Sequence, residues 1–219
     1  SHVLPGIDDG AKDIEESLSL ISQMKEMGFS KIIGTPHTYK GLYDNTNETI
    51  KASFDSLKKD LKEDIEISYA SEYMIDGSLL KRIEEKSLLT LKDNYVLVEM
   101  SFISAPNDLY EILFQLQLNG YISVLAHPER YSFLFNNFEE YFKLKRVGCK
   151  FQLNLLSVTE YYGKDVMKIS SKLLENNLID IVGSDIHSQK HIDFFQKKIK
   201  IKQIEKLEKA IESNNSTFI

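Results

Sequence analysis

The positions of histidine and of acidic residues carry most of the chemical information in this sequence. Nearly every segment that is typical of a β-strand ends on a side chain that can bind a metal ion. These side chains are His2, His37 in GTPH, Glu72 in ASE, Glu99 in VLVE, His127 in VLAH, and Asp185 with His187 in GSDIH. Parallel α/β barrels bring side chains from many separate segments together at the carboxyl ends of their strands. The pattern therefore predicts a site for several metal ions and favours a hydrolase.

The types of these residues narrow the choice of metal. Asp185 and His187 are two residues apart, so in an extended segment both side chains point to the same side. Mixed imidazole and carboxylate ligands suit Zn, Fe or Mn, whereas oxygen ligands alone would suit Mg or Ca. The single cysteine, Cys149, lies outside these motifs, which argues against a structural zinc cage. No arginine follows Cys149 at the spacing of a Cys-x5-Arg loop, which excludes a thiolate phosphatase mechanism.

Alternating strands and helices are needed to bring these ligands together, and the sequence predicts such an alternation. A first strand would end at His2, and further strands are predicted near residues 31–36, 65–70, 95–100, 122–126, 150–154 and 179–182. The clearest helices are predicted at 14–27, 48–61, 108–119, 139–147, 164–176 and 204–212. In the first helix, Asp13 and Glu16 resemble a capping box and Gly28 is a stop signal. The alternation favours a parallel sheet with right-handed crossovers.

Seven predicted strands are one fewer than a closed barrel of this type usually has. We therefore expect an α/β fold built as a distorted, incomplete TIM-like (β/α)7 barrel. An open doubly wound sheet would instead gather its ligands at one switch point. A length of 219 residues with 42% hydrophobic residues suits a single domain over residues 1–219. The segment 38–49 is either a mobile lid or an ordinary surface loop.

Composition excludes several classes of partner and compartment. The net charge of −6 argues against nucleic acid and against an anionic membrane surface as partners. No apolar run approaches the length of a membrane-spanning helix, so no membrane insertion is expected. One cysteine cannot form an internal disulfide, which favours a cytoplasmic location. The chain starts with Ser1, so we expect that the natural start lies upstream.

Five ordered motifs resemble those of the bacterial polymerase and histidinol phosphatase (PHP) superfamily. They are SHVLPGIDDG, GTPH, VLVEMS, VLAHPERY and GSDIH, and they span essentially the whole chain. Within that superfamily they are most similar to the manganese-type protein-tyrosine phosphatases encoded with capsule and exopolysaccharide genes. The resemblance implies hydrolysis of phosphotyrosine on a protein by a metal-bound hydroxide, with three divalent ions, Mn first and Fe or Zn as alternatives. It also implies a phosphotyrosine protein as partner, namely a bacterial tyrosine kinase that controls polysaccharide synthesis.

The resemblance further assigns metal ligands by position. It implies that the first metal is held by His2, Glu72 and Asp185, the second by Glu72, Glu99 and His127, and the third by Asp9, His37 and His187. Asp8 is expected in a turn or behind a ligand. The family's first strand carries an HxH pair, of which His2 is the second member, so the chain begins inside that motif and the first metal is expected to be held most weakly.

Arg130 in HPERY matches a basic residue that holds the substrate phosphate, which implies a catalytic and substrate-binding role. The alternative for Arg130 is a surface ion pair with its neighbour Glu129. Asn154, at the end of the segment QLN, either supports a ligand or bonds to the backbone. His191 is not expected to bind metal, because no motif match supports it.

Three other functions remain open from the sequence. A small-molecule phosphomonoesterase, such as a histidinol phosphatase, would share both fold and metals. A metal-binding regulatory module without catalysis would share the ligands alone. A polymerase-associated exonuclease is disfavoured by the acidic net charge.

Overall fold

The structure is a computed structural model that describes residues 1–62 and 64–218. The helices in these residues are α1 Ile14–Glu26, α2 Asn47–Asp60, α3 Gly77–Glu84, α4 Leu109–Leu118, α5 Glu139–Arg146, α6 Lys164–Glu175, α7 Gln189–Phe195 and α8 Ile204–Phe218. The strands are β1 Lys31–Gly34, β2 His37–Thr38, β3 Glu66–Tyr69, β4 Glu72–Met74, β5 Tyr95–Glu99, β6 Ile122–Ala126, β7 Lys150–Asn154 and β8 Ile181–Gly183. Short 3₁₀ turns follow β6 and β7. No helix within the described ranges is long and apolar enough to cross a membrane.

All strand pairs are parallel. The main sheet has the order β2-β4-β5-β6-β7-β8, and β1 pairs with β3 beside it. The two sheets are continuous in hydrogen bonding, because Ala70 N donates to Gly34 O and Glu72 N donates to Pro36 O. The break falls at Thr35 and Pro36, where proline has no N–H to donate to a ladder. The predicted α/β fold with parallel strands is confirmed.

The predicted first strand ending at His2 is wrong, since residues 1–3 form no strand. Their backbone makes separate hydrogen bonds to two neighbours, from Thr35 N to Ser1 O and from His2 N to Ile186 O. So few bonds do not make a strand ladder. On the edge of β8, the side-chain amide of Asn214 bonds to both Val182 N and Val182 O and takes the place of a neighbouring strand. The strands in the described part of the chain do not form a closed ring.

The predicted helices are present, with one change at the first cap. Asp13 Oδ1 accepts a hydrogen bond from Glu16 N, as in a capping box. The Glu16 carboxylate, however, accepts from Lys12 N, one residue before the cap. Helices α3 and α7, of 8 and 7 residues, are not among the clearest predicted helices.

The core lies on both faces of the sheet. On β5, Val96 and Val98 pack with the outer helices, whereas Leu97 packs on the opposite face with Val124 and Ala126 of β6. Side chains alternate along a strand, so Glu99 at the end of β5 emerges on the same inner face as Leu97. The sheet therefore directs the acidic ends of its strands towards one interior region.

Candidate metal centre

The eight predicted ligands come together in one cluster. Three overlapping groups have ligand atoms within 4.8 Å of one another: His2, Asp9, His37 and His187; His2, Glu72 and Asp185; and His37, Glu72 and Glu99. His127 joins them, because its Nε2 lies 3.3 Å from Glu72 Oε1 and 3.8 Å from Glu99 Oε2. His37 also lies beside Glu72 and Glu99. The family resemblance does not imply this contact, because it assigns His37 to a different metal from those two acids.

Strand register and backbone conformation position these side chains. His37 on β2 is paired in register with Glu72 on β4, so the two side chains leave the sheet beside each other. Glu99 ends β5, and His127 and Asp185 follow β6 and β8. His127 and Asp185 adopt positive φ values of 38° and 51°, a region that non-glycine residues rarely occupy. Such strain persists where surrounding packing enforces it, and it is common at functional sites.

His2 is held at both ring nitrogens. Its Nδ1 lies 2.7 Å from Asp8 Oδ2, while Nε2 lies 3.2 Å from Glu72 Oε2 and 3.3 Å from Asp185 Oδ1. Burial alone would lower the pKa of His2, but hydrogen bonds to Asp185, Asp8 and Glu72 outweigh it and raise the pKa well above its usual value. The loop passes so close that a Cβ on Gly10 would lie 2.0 Å from His2 O.

Asp8 supports this arrangement from behind. It accepts hydrogen bonds from Gly10 N and His37 N in addition to its contact with His2. Burial would raise its pKa, yet the bond to His2 prevails and the pKa falls to about 2. The expected position behind a ligand matches these contacts, since a carboxylate on the second ring nitrogen orients a ligating histidine.

Glu72 and Glu99 form a buried pair of carboxylates. Burial raises the pKa of Glu99, and the charge of Glu72 raises it further. Burial also acts on Glu72, but hydrogen bonds to His127 and His2 hold its pKa well below the usual range. His37 Nδ1 lies 2.7 Å from Glu99 Oε1, an ionic contact without hydrogen-bond geometry. Of these two neighbouring carboxyl groups, Glu99 therefore holds a proton more readily than Glu72.

Asp9, His37 and His187 lie at the open side of the cluster. Asp9 Oδ1 is 3.5 Å from His37 Nε2 and 3.7 Å from His187 Nε2, and 53% of its side chain is exposed. Burial and then the charge of His2 lower the pKa of His187 to about 3. His187 is therefore neutral near pH 7, which is the form that ligates metals.

Arg130 borders the cluster and pairs with Asp185, not with Glu129. Its Nη1 donates to Asp185 Oδ2 at 3.0 Å, and 21% of its side chain is exposed. Glu129 is buried and accepts hydrogen bonds from Ser157 Oγ and Asn154 N. The alternative of a surface ion pair between Arg130 and Glu129 is wrong, because the 3₁₀ turn at Pro128–Arg130 directs the two side chains to different neighbours.

Asn154 meets both of its predicted alternatives. Its Nδ2 donates to Asp185 Oδ2 at 2.7 Å, and its Oδ1 accepts from Leu156 N at 2.9 Å. Nδ2 also lies 3.1 Å from the hydroxyl of Tyr162. Asn154 thus fixes the orientation of Asp185 while it caps the following turn.

Three aromatic residues at the site were not predicted. Phe102 and Tyr162 lie over the guanidinium of Arg130, and Tyr43 stacks on the ring of His37. They lie in loops, where no hydrophobic period marks them. The segment 38–49 contributes Tyr43 through a bridge between Tyr39 and Tyr43. Two tyrosines four residues apart around a glycine, in TYKGLY, are the only sequence signal that points to this bridge.

The donor set fits divalent cations. Buried carboxylates are costly without a compensating positive charge, and no lysine or arginine among the described residues forms an ion pair with the buried Glu72 or Glu99. His127 Nδ1 is buried and has no hydrogen-bond partner among the residues that the structure describes. Imidazole and carboxylate ligands together suit Mn, Fe or Zn.

Comparison with known proteins identifies the family of this chain. The family model for CpsB/CapC proteins of capsular polysaccharide synthesis matches residues 1–217. Tyrosine-protein phosphatase YwqE of Bacillus subtilis (strain 168) is 35% identical over 197 residues, which cover 88% of this chain and 78% of YwqE. Tyrosine-protein phosphatase CpsB of Streptococcus pneumoniae is 31% identical, covering 86% of this chain and 81% of CpsB.

A solved structure shares the fold. It comes from crystal structures of YwqE from Bacillus subtilis and CpsB from Streptococcus pneumoniae, described as unique metal-dependent tyrosine phosphatases. The match has a TM-score of 0.82 and 31% identity, and it covers 99% of this chain and 85% of the other. By the family model and by these relatives, the chain belongs to the CpsB/CapC family of capsular polysaccharide synthesis proteins.

Proposed function

We propose that this chain is a metal-dependent tyrosine-protein phosphatase. The observation that carries the proposal is the convergence of eight histidine and acidic side chains beside a partly exposed arginine. The relatives YwqE and CpsB are named tyrosine-protein phosphatases, which supports dephosphorylation of tyrosine as the reaction. The family description supports a role in capsular polysaccharide synthesis. The substrate is a phosphotyrosine protein, namely a bacterial tyrosine kinase that controls polysaccharide synthesis.

The cofactors are three divalent ions, Mn first, with Fe or Zn as alternatives. Support comes from three overlapping donor groups and from their mixed nitrogen and oxygen ligands. His2, Glu72 and Asp185 hold the first ion, and Glu72, Glu99 and His127 the second. Asp9, His37 and His187 hold the third. When bound, such ions lower the pKa of a coordinated water and neutralise charge on the phosphoryl group.

The side chains of the protein bind and orient the substrate. Arg130 donates hydrogen bonds to the phosphate oxygens, since its bond to Asp185 occupies one of five guanidinium N–H donors. Asn154 and Arg130 together hold Asp185, and Asp8 holds His2. Leu97 packs with Val124 and Ala126 in an apolar cluster on the inner face of the sheet, two residues before Glu99 on β5.

The larger architecture and the compartment are part of the proposal. Residues 1–219 form one domain, an incomplete TIM-like barrel in which the segment 1–3 bridges β1 and the residues after β8. The bonds from Thr35 N to Ser1 O and from His2 N to Ile186 O support this arrangement. The cytoplasm is the compartment, because tyrosine kinases use ATP, and their phosphorylated products arise where ATP is found.

The test compares substrates on the Mn-supplied protein. We expect kcat/KM for a phosphotyrosine peptide to exceed that for histidinol phosphate and for the matched phosphoserine peptide. Asp185→Asn, which removes a proposed ligand, is the control and should abolish turnover of all three. A higher kcat/KM with histidinol phosphate would favour a small-molecule phosphatase, and no turnover would favour a regulatory module.

A further inference from the structure

Phe102 is an exposed aromatic residue at the edge of the metal centre. It lies in the loop after β5, and 45% of it is accessible to solvent. Its ring centroid lies 4.8 Å from Cζ of Arg130 and 5.5 Å from the ring of His127. Because this exposed ring lies beside a proposed metal ligand and the arginine proposed to bind phosphate, it is placed to contact a bound substrate.

The loop holds Phe102 firmly in this position. Met100 N, at the start of the loop, donates to the hydroxyl of Tyr131, which in turn donates to Ala126 O. The Tyr131 ring itself lies 5.7 Å from that of Phe102. Ile103 N donates to Ser101 Oγ, which fixes the turn on the other side. The ring is therefore anchored to the same segment that carries His127 and Arg130.

The guanidinium of Arg130 contacts two aromatic rings. Its Cζ lies 4.1 Å from the ring centroid of Tyr162 and 4.8 Å from that of Phe102. Tyr162 is the more buried of the two and is tied to Asn154 by a hydrogen bond. Phe102 is thus the more accessible of the two to a ligand. A phosphate held by Arg130 would place the group attached to its ester oxygen beside the Phe102 ring.

From this geometry we propose that Phe102 receives the phenyl ring of phosphotyrosine and makes the site selective for aryl over alkyl phosphates. The inference rests on the proposed function and names the residue that recognises its substrate. Two aromatic rings attract each other beyond the area that they bury, whereas an alkyl group gains no such contact. Ile103, 88% exposed beside Phe102, extends the apolar surface outwards.

The test measures binding, separately from turnover. Phenylphosphonate and methylphosphonate carry the same anionic group and differ in the ring alone. Isothermal titration calorimetry of the Mn-supplied protein gives the Kd of each. We expect Phe102→Ala to weaken phenylphosphonate about fivefold, the scale of one aromatic pair, and methylphosphonate by less than about twofold. Phe102→Tyr should restore phenylphosphonate binding.

Phe114→Ala is the matched control, since Phe114 is 55% exposed on α4, outside the site, and should leave both Kd values unchanged. Equal weakening of both phosphonates by Phe102→Ala would overturn the proposal, because it would mean that Phe102 acts only through Arg130. Unchanged binding, or no binding of phenylphosphonate to the wild type, would overturn it as well. Turnover of phosphotyrosine by the wild type then decides separately whether the proposed function stands.

Discussion

At the scale of single residues, the site depends on side chains that hold other side chains. Asp8 fixes His2, and Asn154 and Arg130 converge on Asp185. The ligands were predictable because histidine and acidic residues at strand ends are chemically distinctive. Phe102 and Tyr162 were not, because an aromatic residue in a loop has the same sequence signature whether it packs, stacks on a cation or is exposed. Contacts across the fold decide which.

Asp8→Ala tests the support of a ligand. We expect the affinity for Mn to fall by about 10- to 100-fold, because His2 would lose the partner that orients its ring. Titration calorimetry of metal into the apo protein measures this. Glu15→Ala, an exposed carboxylate on α1, is the control and should bind metal as the wild type does. Wild-type affinity in Asp8→Ala would mean that packing alone holds His2.

Arg130→Ala tests the phosphate contact. We expect kcat/KM for a phosphotyrosine peptide to fall about 30-fold. This fall corresponds to a loss of about 2 kcal/mol of transition-state stabilisation, the scale of a lost charge-assisted hydrogen bond. Metal content, read by elemental analysis, should stay constant, since Asn154 still holds Asp185. Arg146→Ala removes an exposed arginine paired with Glu139 and should have no effect. Unchanged kcat/KM in Arg130→Ala would remove Arg130 from substrate binding.

Cys149 allows a test of whether a thiol takes part in the reaction. Burial raises the pKa of its thiol to about 11, so the thiol is protonated at pH 8 and cannot act as a nucleophile. We expect no reaction of the folded protein with a thiol reagent at pH 8, rapid reaction after denaturation, and full activity in Cys149→Ala. Loss of kcat in a folded Cys149→Ala variant would contradict metal-based hydrolysis.

At the scale of elements, six of the eight strands and six of the eight helices in the described residues overlap predicted segments, and the short strands β2 and β4 were missed. The strands read as continuous apolar runs because both of their faces are buried, as Val96, Leu97 and Val98 on β5 show. Helix α7 was missed because it buries only Ile192, which is too few residues to produce a period. The segment 1–3 was predicted as a strand from its ligand, but pairing depends on two distant neighbours that no local pattern reveals.

Asp13→Ala tests the cap of α1. The side chain accepts a hydrogen bond from Glu16 N, and its loss should lower the free energy of unfolding by about 1 kcal/mol. Urea unfolding followed by circular dichroism measures the change. Because Asp13 contacts none of the ligands, kcat should remain that of the wild type. An unchanged unfolding midpoint would show that Glu16 and Lys12 hold the helix start without it.

At the scale of the whole molecule, the acidic cluster couples metal binding to stability. Negative charge is concentrated at the metal centre, in a protein whose net charge is −6. The carboxylates there are Asp9, Glu72, Glu99 and Asp185. Cations bound there offset this repulsion in the folded state only. The protein should therefore be both inactive and less stable without them.

Dialysis against excess EDTA tests this coupling. We expect activity to be lost, restored by Mn, Fe or Zn, and the thermal midpoint to rise on metal addition. Metal at about 1,000 times its Kd contributes about 4 kcal/mol to folding. In Asp185→Asn the rise should be smaller, because a ligand is missing. Full activity after EDTA treatment would contradict a metal-dependent reaction.

The contact between His2 and Asp185 joins two residues that lie 183 positions apart in the sequence. Loop closure over such a separation is slow, and domains form during synthesis from the amino end onwards. His2 leaves the ribosome well before Asp185 and His187, which follow only after most of the sheet has been made. A nascent chain therefore exposes histidines and acids that have no partners for most of its synthesis. Metal loading of this protein is in consequence a late event in its biogenesis, after translation of the last strand.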